Sequence, residues 1–230
     1  TSAGASRNLC VTSAATDRIL FTDADCRPAG DWAELLLQAL DSSPVAGGSV
    51  RFDLEGNMWA VADNIASFNE LLCDRPADPN TDGPLGSLNL AVTIEAWQRV
   101  GPFDESLATS EDFDWVLRAR AAGLPLRFEP RAVVHHAAIR SDRRELVAHA
   151  EWYGRNFNDF RSRHPGVFDN GPTWRSRRRL ALSRPFKSVV SAAQIFLRHP
   201  NLLSAWRAFP GVVTFKSARN RNVLENWQGR

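Results

Sequence analysis

The stretch "RILFTDADCRP", residues 18–28, decides the fold prediction. It starts with residues typical of a buried strand, Ile19 to Thr22, and runs directly into Asp23 and Asp25. Carboxylates are costly to desolvate, so two of them at the end of an apolar strand require a reason. In open α/β sheets, ligands bind beyond the carboxyl ends of the strands, which is where these two acids lie.

Outward from this stretch, strand-like and helix-like segments alternate along the chain. Helical spacing predicts helices at 3–14, 31–40, 58–73, 94–101, 110–123 and 142–163. Apolar runs predict strands at 18–22, 44–52 and 87–92, and two short strands in "PLRFEP" (125–130) and "RAVVHH" (131–136). We expect an α/β fold with a mostly parallel sheet flanked by helices. Asp31 and Ser110 are the expected N-caps of their helices.

The charges are distributed unevenly over the 230 residues. Residues 1–112 carry 18 acidic and 6 basic residues, whereas residues 113–230 carry 8 acidic and 22 basic residues. The acidic half could supply cation ligands, and the basic half could face phosphates or an anionic membrane. Alternatively, the two halves neutralise each other in the fold.

Three cysteines, Cys10, Cys26 and Cys73, are widely spaced and form no Cys-x-x-Cys pair. This usage favours a reducing compartment and argues against a disulfide framework or a zinc site. No apolar run reaches the roughly 18 residues needed to span a bilayer.

Asp23 and Asp25 have two interpretations. Paired carboxylates repel each other unless a cation lies between them, and a hard divalent cation bound to substrate phosphates suits this arrangement. Alternatively, one of the two caps the helix that follows.

A second acidic cluster and a histidine pair follow later in the chain. Glu111 and Asp112, in "TSEDFDW", fall in the first turn of a predicted helix, where an acid serves as a general base or as part of a capping box. His135 and His136 lie next to each other on a predicted strand and therefore point to opposite faces. One of them could ligate a metal while the other packs.

The chain resembles a family two glycosyltransferase of the GT-A fold over residues 3 to 165. The resemblance is carried by "ASRN" (5–8), "ILFTDADCRP" (19–28), "GSLNLAVTIEAWQRVGPFDE" (86–105), "SEDFDWVLRARAAG" (110–123) and "FEPRAVVHH" (128–136). It implies a partial GT-A catalytic domain at 1–165, without the family's N-terminal nucleotide-binding βαβ unit, and a basic helical C-terminal extension at 166–230. We therefore expect a piece of a longer protein that lacks half of its donor pocket.

The resemblance also implies a metal site. Asp23 and Asp25 match the Asp-x-Asp motif that holds a divalent cation, Mg²⁺ or Mn²⁺, together with the sugar nucleotide, and Asp25 is the expected direct ligand. His136 matches the late histidine that completes the metal site, and His135 is the alternative.

Further roles are implied for the residues around the donor and the acceptor. Asp112 matches the general base of inverting members, and Glu111 would position the acceptor. Arg7 and Asn8 match the segment beside the nucleotide, and Asn89 lies in the loop and strand that frame the donor sugar and acceptor.

The implied activity is inverting, metal-dependent transfer of a sugar from a nucleotide-diphosphate sugar to the hydroxyl of a glycan or lipid-linked acceptor. Cell-surface glycan, glycolipid or polysaccharide biosynthesis is the expected setting. The Gln-x-x-Arg-Trp motif of processive synthases is absent from the sequence, so we expect single additions.

The C-terminal segment is strongly basic: residues 161–230 carry 14 basic and 2 acidic residues. Within 175–200, basic clusters alternate with apolar residues that could line one side of a helix, namely Val189, Val190, Ile195, Phe196 and Leu197. This pattern predicts a segment that contacts anionic lipid, and the alternative is a helix that covers the catalytic domain. No nucleic-acid-binding module is recognisable, so nucleic acid is not an expected partner. We expect a cytoplasmic protein, peripheral at the inner face of the plasma membrane.

Two other functions remain open. A phosphohydrolase with a nucleophilic Asp at a strand end needs a lysine, but the only lysines, Lys187 and Lys216, lie in the basic segment. A degenerate transferase that binds lipid or a partner without catalysis is the non-enzymatic alternative.

Overall fold

The computed structural model describes residues 2–165, residue 167 and residues 174–226, with the backbone alone described for 174–184. The chain forms two compact units. The sheet unit comprises Thr1–Phe52 and Glu70–Ala137, and the helical unit comprises Asp53–Asn69 and Ala138–Arg230. The predicted boundary after residue 165 concerns the end of a catalytic domain and stays a prediction.

The sheet unit contains a five-stranded sheet. In chain order the strands are β1 (Arg18–Thr22), β2 (Cys26–Pro28), β3 (Val45–Arg51), β4 (Asn89–Thr93) and β5 (Leu126–His136). Their spatial order is β1-β4-β3-β5-β2. Among the described strands, β3 and β5 form the one parallel pair; the pairs β1/β4, β3/β4 and β2/β5 are antiparallel.

The prediction of a mostly parallel sheet is therefore wrong for the described strands. β1, β3 and β5 do run in the same direction, but β4 runs opposite to them and lies between β1 and β3. An alternating or apolar residue pattern indicates that a strand is buried and leaves its direction open. The direction of a strand depends on the route of the chain segment that connects it to the preceding strand. The residues before β4 contain no sequence pattern that indicates this route.

The described α-helices are α1 (Ala3–Ser13), α2 (Trp32–Leu40), α3 (Met58–Phe68), α4 (Ile94–Val100), α5 (Glu111–Ala121), α6 (Arg143–Arg163), α7 (Trp174–Arg198) and α8 (Phe209–Glu225). Two 3₁₀ segments cover Asn69–Leu71 and Pro200–Ala208. Each predicted helix is present and ends within a few residues of its expected bounds. None of the helices in the described part of the chain combines the length and the hydropathy that crossing a bilayer requires.

An aromatic core joins the sheet of the sheet unit to helices α4 and α5. The Trp97 ring lies 5.1 Å from the ring of Phe103 and stacks on Trp115 at 5.7 Å, measured between centroids. Phe21 of β1 meets Phe103 edge to face at 5.6 Å. Offset and edge-to-face pairs of this kind stabilise a core by about 0.5–1.5 kcal/mol each beyond the burial of their area. This core fixes the start of α5 near the end of β1.

Strand β5 is continuous where two short strands were expected, but its pairing with β3 is irregular at the predicted break. Gly48 pairs with Glu129 and the next residue, Ser49, pairs with Val133, so residues 130–132 lie outside the register. This bulge includes Pro130, which has no backbone N–H to donate to the hydrogen-bond ladder of the sheet.

The helical unit is formed by α3, α6, α7, α8 and the 3₁₀ segment Pro200–Ala208. Gly154 of α6 allows α8 to approach closely, because a Cβ at that position would clash with the carbonyl oxygen of Arg219. Ile195 and Phe196 of α7 are buried, whereas Val189, Val190 and Leu197 are exposed. The five apolar residues expected to line one side of this helix are therefore divided between core and surface.

Candidate functional site

The two strand-end acids lie in the turn between β1 and β2. The amide of Cys26 donates to the carbonyl of Asp23 at 3.0 Å and closes this turn. Neither Asp23 nor Asp25 caps a helix, since α2 starts only at Trp32. The capping interpretation of these acids is therefore wrong, and the side chains have different partners.

Arg7 links Asp23 to the second acidic cluster. Its guanidinium Nη2 lies 2.5 Å from Asp23 Oδ1, and its Nη1 lies 2.5 Å from Glu111 Oε1. Burial alone lowers the pKa of Arg7, but the carboxylates of Asp23 and Glu111 outweigh this effect and raise it above its ordinary value. Burial, followed by the charge of Asp112, raises the pKa of Glu111, although Arg7 opposes the shift. The Arg7 guanidinium thus connects the acidic residues that follow β1 with the acid pair at the start of α5.

Asp25 lies against a different group of side chains. Its Oδ2 is 3.5 Å from His136 Nε2, and its Oδ1 is 3.9 Å from Cys26 Sγ. The ligand atoms of Asp25, Cys26 and His136 all lie within 4.8 Å of one another. Burial, and then the charges of Asp23 and Asp25, raise the pKa of the Cys26 thiol to about 12. We call these three residues the Asp-Cys-His cluster.

Backbone pairing assembles the Asp-Cys-His cluster. Cys26 and His136 are directly opposite each other in the antiparallel pair β2/β5, so their side chains share a face of the sheet. The amide of Ala137 donates to the carbonyl of Asp25 at 2.9 Å. His135 pairs with Arg27 and points to the other face. Of the two adjacent histidines, the structure brings only His136 to Asp25.

The acid pair at the start of α5 is held by other contacts. Asp112 Oδ2 accepts hydrogen bonds from the amide and the hydroxyl of Ser87, at 2.9 and 3.2 Å, and Asp112 Oδ1 accepts from the amide of Phe113 at 2.8 Å. Ser110 occupies the N-cap position in the left-handed conformation, with φ of 64°, and its side chain makes no cap hydrogen bond. Ser110 therefore occupies the expected N-cap position, but its side chain makes no cap hydrogen bond. The capping-box alternative is wrong, because the N3 residue is Phe113. Asp31 likewise makes no side-chain cap bond.

Asn8 and Asn89, both expected near the donor, hold the backbone of the sheet unit. The amide of Asn8 exchanges two hydrogen bonds with the backbone of Phe103, at 2.9 and 3.0 Å, and donates a third to Glu105. Asn89 is buried and donates to the carbonyls of Ser49 and Ala132, both at 2.8 Å, across the β5 bulge.

The Asn89 amide explains why residue 48 is glycine. A Cβ on Gly48 would clash with both the carbonyl oxygen of Ala132 and the side-chain amide of Asn89. Asn89 Oδ1 in turn accepts from the Trp32 indole at 2.8 Å. The structure thus shows Asn8 and Asn89 in positioning roles, and direct contact with a ligand stays a prediction for both.

The donor set of the Asp-Cys-His cluster fits a divalent cation, because carboxylate, imidazole and thiolate are all metal ligands and lie close together. The expected set of Asp23, Asp25 and a histidine is only partly brought together, since Asp23 turns to Arg7. The sequence analysis did not identify Cys26 as a candidate metal ligand. Its position immediately after Asp25 was the feature that could have indicated this role. Ser87 carried no signal.

Comparisons with known proteins relate the chain to sugar-transferring enzymes. No family model matches the chain. The pre-mycofactocin glycosyltransferases of two Mycobacterium tuberculosis strains are each 32% identical to it over 166 residues, which are 70% of this chain. The chain spans only 35% of the length of these relatives. Glycosyltransferase AglE of Haloferax volcanii is 27% identical over 136 residues, which cover 58% of this chain and 44% of AglE. These similarities support a place for the chain among the glycosyltransferases.

Proposed function

We propose that the protein containing this chain is a family two transferase with a GT-A fold. It transfers a sugar from a nucleotide-diphosphate sugar to an acceptor hydroxyl, with metal dependence and with inversion at the anomeric carbon. The observation that carries this proposal is the contact of Arg7 with both Asp23 and Glu111, which joins the strand-end acids and the acid pair of α5 into one site. Similarity to named glycosyltransferases supports the reaction class.

On the donor side, Asp25 and His136 are the proposed cation ligands. A bound divalent cation, Mg²⁺ or Mn²⁺ in the simplest case, would offset the charge that develops on the leaving diphosphate. Arg7 keeps Asp23 and Glu111 in place by two charge-assisted hydrogen bonds. Asn8 holds α1, which carries Arg7, against the loop that contains Phe103.

On the acceptor side, Asp112 is the proposed general base. Its carboxylate would take the proton of the acceptor hydroxyl while the hydroxyl oxygen attacks the anomeric carbon and the bond to the diphosphate oxygen breaks. A single displacement of this kind inverts the configuration. Ser87 aims the Asp112 carboxylate through two hydrogen bonds, and Glu111, held by Arg7, would shape the acceptor pocket.

The test compares Asp112→Asn with wild type in the intact protein. Loss of the base should lower turnover by about 10²–10⁴-fold, because that is the usual contribution of a positioned base. Binding of uridine or guanosine diphosphate sugars, measured by calorimetry with manganese, should remain. Glu95→Gln, an exposed acid in the first turn of α4, is the matched control and should keep wild-type turnover. Near-normal turnover of Asp112→Asn would show that the assignment of the base is wrong.

The same measurements separate the alternative functions. If no nucleotide sugar gives heat with or without manganese, the chain belongs to a non-catalytic binding module. Release of phosphate from phosphate esters would instead indicate a strand-end phosphohydrolase.

We further propose that the helical unit contacts an anionic membrane, at the inner face of the plasma membrane. Residues 170–224 contain 11 basic residues and no acidic residue. Phe186, Val190 and Leu197 are exposed, and their spacing of 4 and 11 residues places them on one face of α7. Apolar side chains among basic ones suit the interface of an anionic bilayer.

Sedimentation with vesicles tests the membrane contact. The intact protein should bind vesicles that contain phosphatidylserine, should bind phosphatidylcholine vesicles far less, and should lose binding in high salt. Phe186→Glu with Leu197→Glu should abolish binding, since both side chains are more than 70% exposed and need not disturb the core. Equal binding of this variant and of wild type would contradict the proposal.

A further inference from the structure

We infer that Cys26 is the third protein ligand of the cation site and that its thiolate gives the site a preference for a borderline-soft divalent cation, such as Zn²⁺ or Co²⁺, over Mg²⁺. This inference rests on the proposed function, which requires a cation at Asp25. It adds a ligand that the Asp-x-Asp pattern does not contain.

The backbone places the Cys26 side chain where a ligand is needed. Cys26 starts β2 opposite His136, and this cross-strand pairing directs both side chains to the face on which Asp25 lies. Two backbone hydrogen bonds hold the segment: Cys26 N to the carbonyl of Asp23 at 3.0 Å, and Ala137 N to the carbonyl of Asp25 at 2.9 Å. The arrangement is therefore built into the sheet and does not depend on one flexible side chain.

The distances within the Asp-Cys-His cluster suit a small cation. Ligands placed about 2.0–2.3 Å from a tetrahedral cation lie roughly 3.3–3.8 Å from one another. Asp25 Oδ2 is 3.5 Å from His136 Nε2, Asp25 Oδ1 is 3.9 Å from Cys26 Sγ, and no pair of ligand atoms exceeds 4.8 Å. The inference requires side-chain rotations that bring the longer of these separations into that range.

The contacts of Asp23 explain why a third ligand comes from Cys26. Asp23 lies 2.5 Å from the Arg7 guanidinium, so recruiting Asp23 to the cation would break a part-buried ion pair. Cys26 breaks no ion pair when it binds the cation; its contact with Asp25 is replaced by metal bonds and its thiol proton is released to solvent. Three protein ligands leave a coordination position for the substrate, as in catalytic zinc sites.

The chemistry of the ligand set predicts the metal preference. Thiolate and imidazole favour zinc and cobalt, whereas all-oxygen sites favour Mg²⁺. The wide spacing of the three cysteines and the absence of a Cys-x-x-Cys pair argued against a zinc site, and the present inference departs from that prediction. This site is assembled through space from one cysteine, one acid and one histidine.

Cobalt absorption spectroscopy on the intact protein tests the inference. Wild type titrated with Co²⁺ should develop a near-ultraviolet band of sulfur-to-cobalt charge transfer together with visible bands. Cys26→Ser should lose the charge-transfer band and bind Co²⁺ at least tenfold more weakly. Cys10→Ser and Cys73→Ser, which alter cysteines outside the cluster, should keep both the band and the affinity.

Competition with magnesium tests the preference itself. A hundredfold excess of Mg²⁺ should leave Co²⁺ bound to wild type and displace it from Cys26→Asp, which replaces the thiolate with a hard oxygen ligand. Circular dichroism and thermal unfolding confirm that each variant is folded. If Cys26→Ser does not fold, the cobalt affinity and the charge-transfer band are measured on Cys26→Asp instead.

Two contrary outcomes have different meanings. Visible cobalt bands without charge transfer, with equal affinity in wild type and Cys26→Ser, would overturn the role of Cys26 and leave the cation at Asp25 intact. Absence of cobalt, zinc and manganese binding, with and without a nucleotide sugar, would overturn this inference together with the metal dependence in the proposed function.

Discussion

Each unit of the molecule contains an aspartate beside a histidine, and the two pairs differ. In the helical unit, Asp63 of α3 accepts from Arg140 at 2.9 Å, and its other oxygen lies 2.7 Å from His149 Nδ1. In the sheet unit, Asp25 and His136 are 3.5 Å apart. The Asp63 side chain is 4% exposed, whereas that of Asp25 is 35% exposed.

The difference separates a structural pair from the pair that we propose to bind a cation. Both oxygens of Asp63 have close hydrogen-bonding partners, and the His149 ring lies against Tyr153 and Phe215. A buried carboxylate is tolerated only with such partners. Asp25 retains water contact and a looser histidine, which leaves room for an added cation. The Asp63 pair is therefore a closed pair, and the Asp25 pair is an open one.

The largest expected effect tests the closed pair. Asp63→Ala should lower the free energy of unfolding by about 3 kcal/mol, because it leaves the Arg140 guanidinium and the His149 ring nitrogen without their shared buried partner. Urea unfolding of the intact protein measures this change. Asp63→Asn, which keeps the shape and one acceptor, should cost less. Unchanged stability in both variants would remove the distinction between the two pairs.

The open pair should show the opposite behaviour. Asp25→Ala should change the free energy of unfolding by less than about 1 kcal/mol, because its partner is loose and the side chain part-exposed. It should weaken manganese-dependent binding of nucleotide sugar by about 10- to 100-fold, equivalent to about 1.4–2.8 kcal/mol. Calorimetry of Asp25→Ala beside Asp63→Asn gives the matched comparison. A stability loss at Asp25 without a loss of binding would make it a structural residue.

Glu129 tests whether burial or membership of the sheet unit decides that a carboxylate stabilises the fold. It lies in the same strand as His136, but its side chain is only 3% exposed. The hydrogen bond from Arg131 lowers the pKa of Glu129 despite the opposing effect of burial. A lowered folded-state pKa means that its stabilisation is present above the unfolded pKa of about 4.3 and is lost as the pH falls through the folded value.

Glu129→Gln should therefore destabilise the protein at pH 7 by about 1.5 kcal/mol, the scale of a charge-assisted hydrogen bond. Unfolding midpoints measured from pH 7 to pH 3 should converge for wild type and variant. A constant difference over that range would show that the ionised carboxylate is not the stabilising form.

The smallest expected effect compares the N-termini of α5 and α6. Asp142 caps α6 with a side-chain bond to the amide of Glu145, at 2.9 Å, whereas Ser110 precedes α5 at φ of 64° without one. Ser110→Gly should raise stability by up to about 1 kcal/mol, because glycine adopts this conformation without strain. Asp142→Gly, which removes a cap, should lower it by a few tenths of a kcal/mol. A loss of stability in Ser110→Gly would show that the serine side chain has an unrecognised stabilising contact.

Periodicity predicted the helices and most strands well, because amphipathic faces are local properties of the chain. It missed β2, whose three residues are too few to show a period, and it missed the direction of β4. Two short strands were predicted at 125–130 and 131–136, and the structure shows one strand, β5, with a bulge at residues 130–132.

The site is predictable in part. The family resemblance pairs Asp25 with His136, and the tertiary structure brings these two side chains together. The resemblance also places Arg7 beside the nucleotide, but its contacts with Asp23 and Glu111 depend on residues 16 and 104 positions away. Asp63 gives no sign of its closed pair, because its partners lie 77 and 86 positions along the chain.

The amino-acid sequence by itself determined which segments become helices and most of the strands, and which chemical groups follow the first strand. Only the tertiary structure decided which carboxylate Arg7 neutralises, which histidine meets Asp25, and that Cys26 joins them. The physical reason is that the Arg7 contacts join residues far apart in the chain, and the pairing of Cys26 with His136 depends on strand register, where a shift of one residue reverses the face on which every side chain lies.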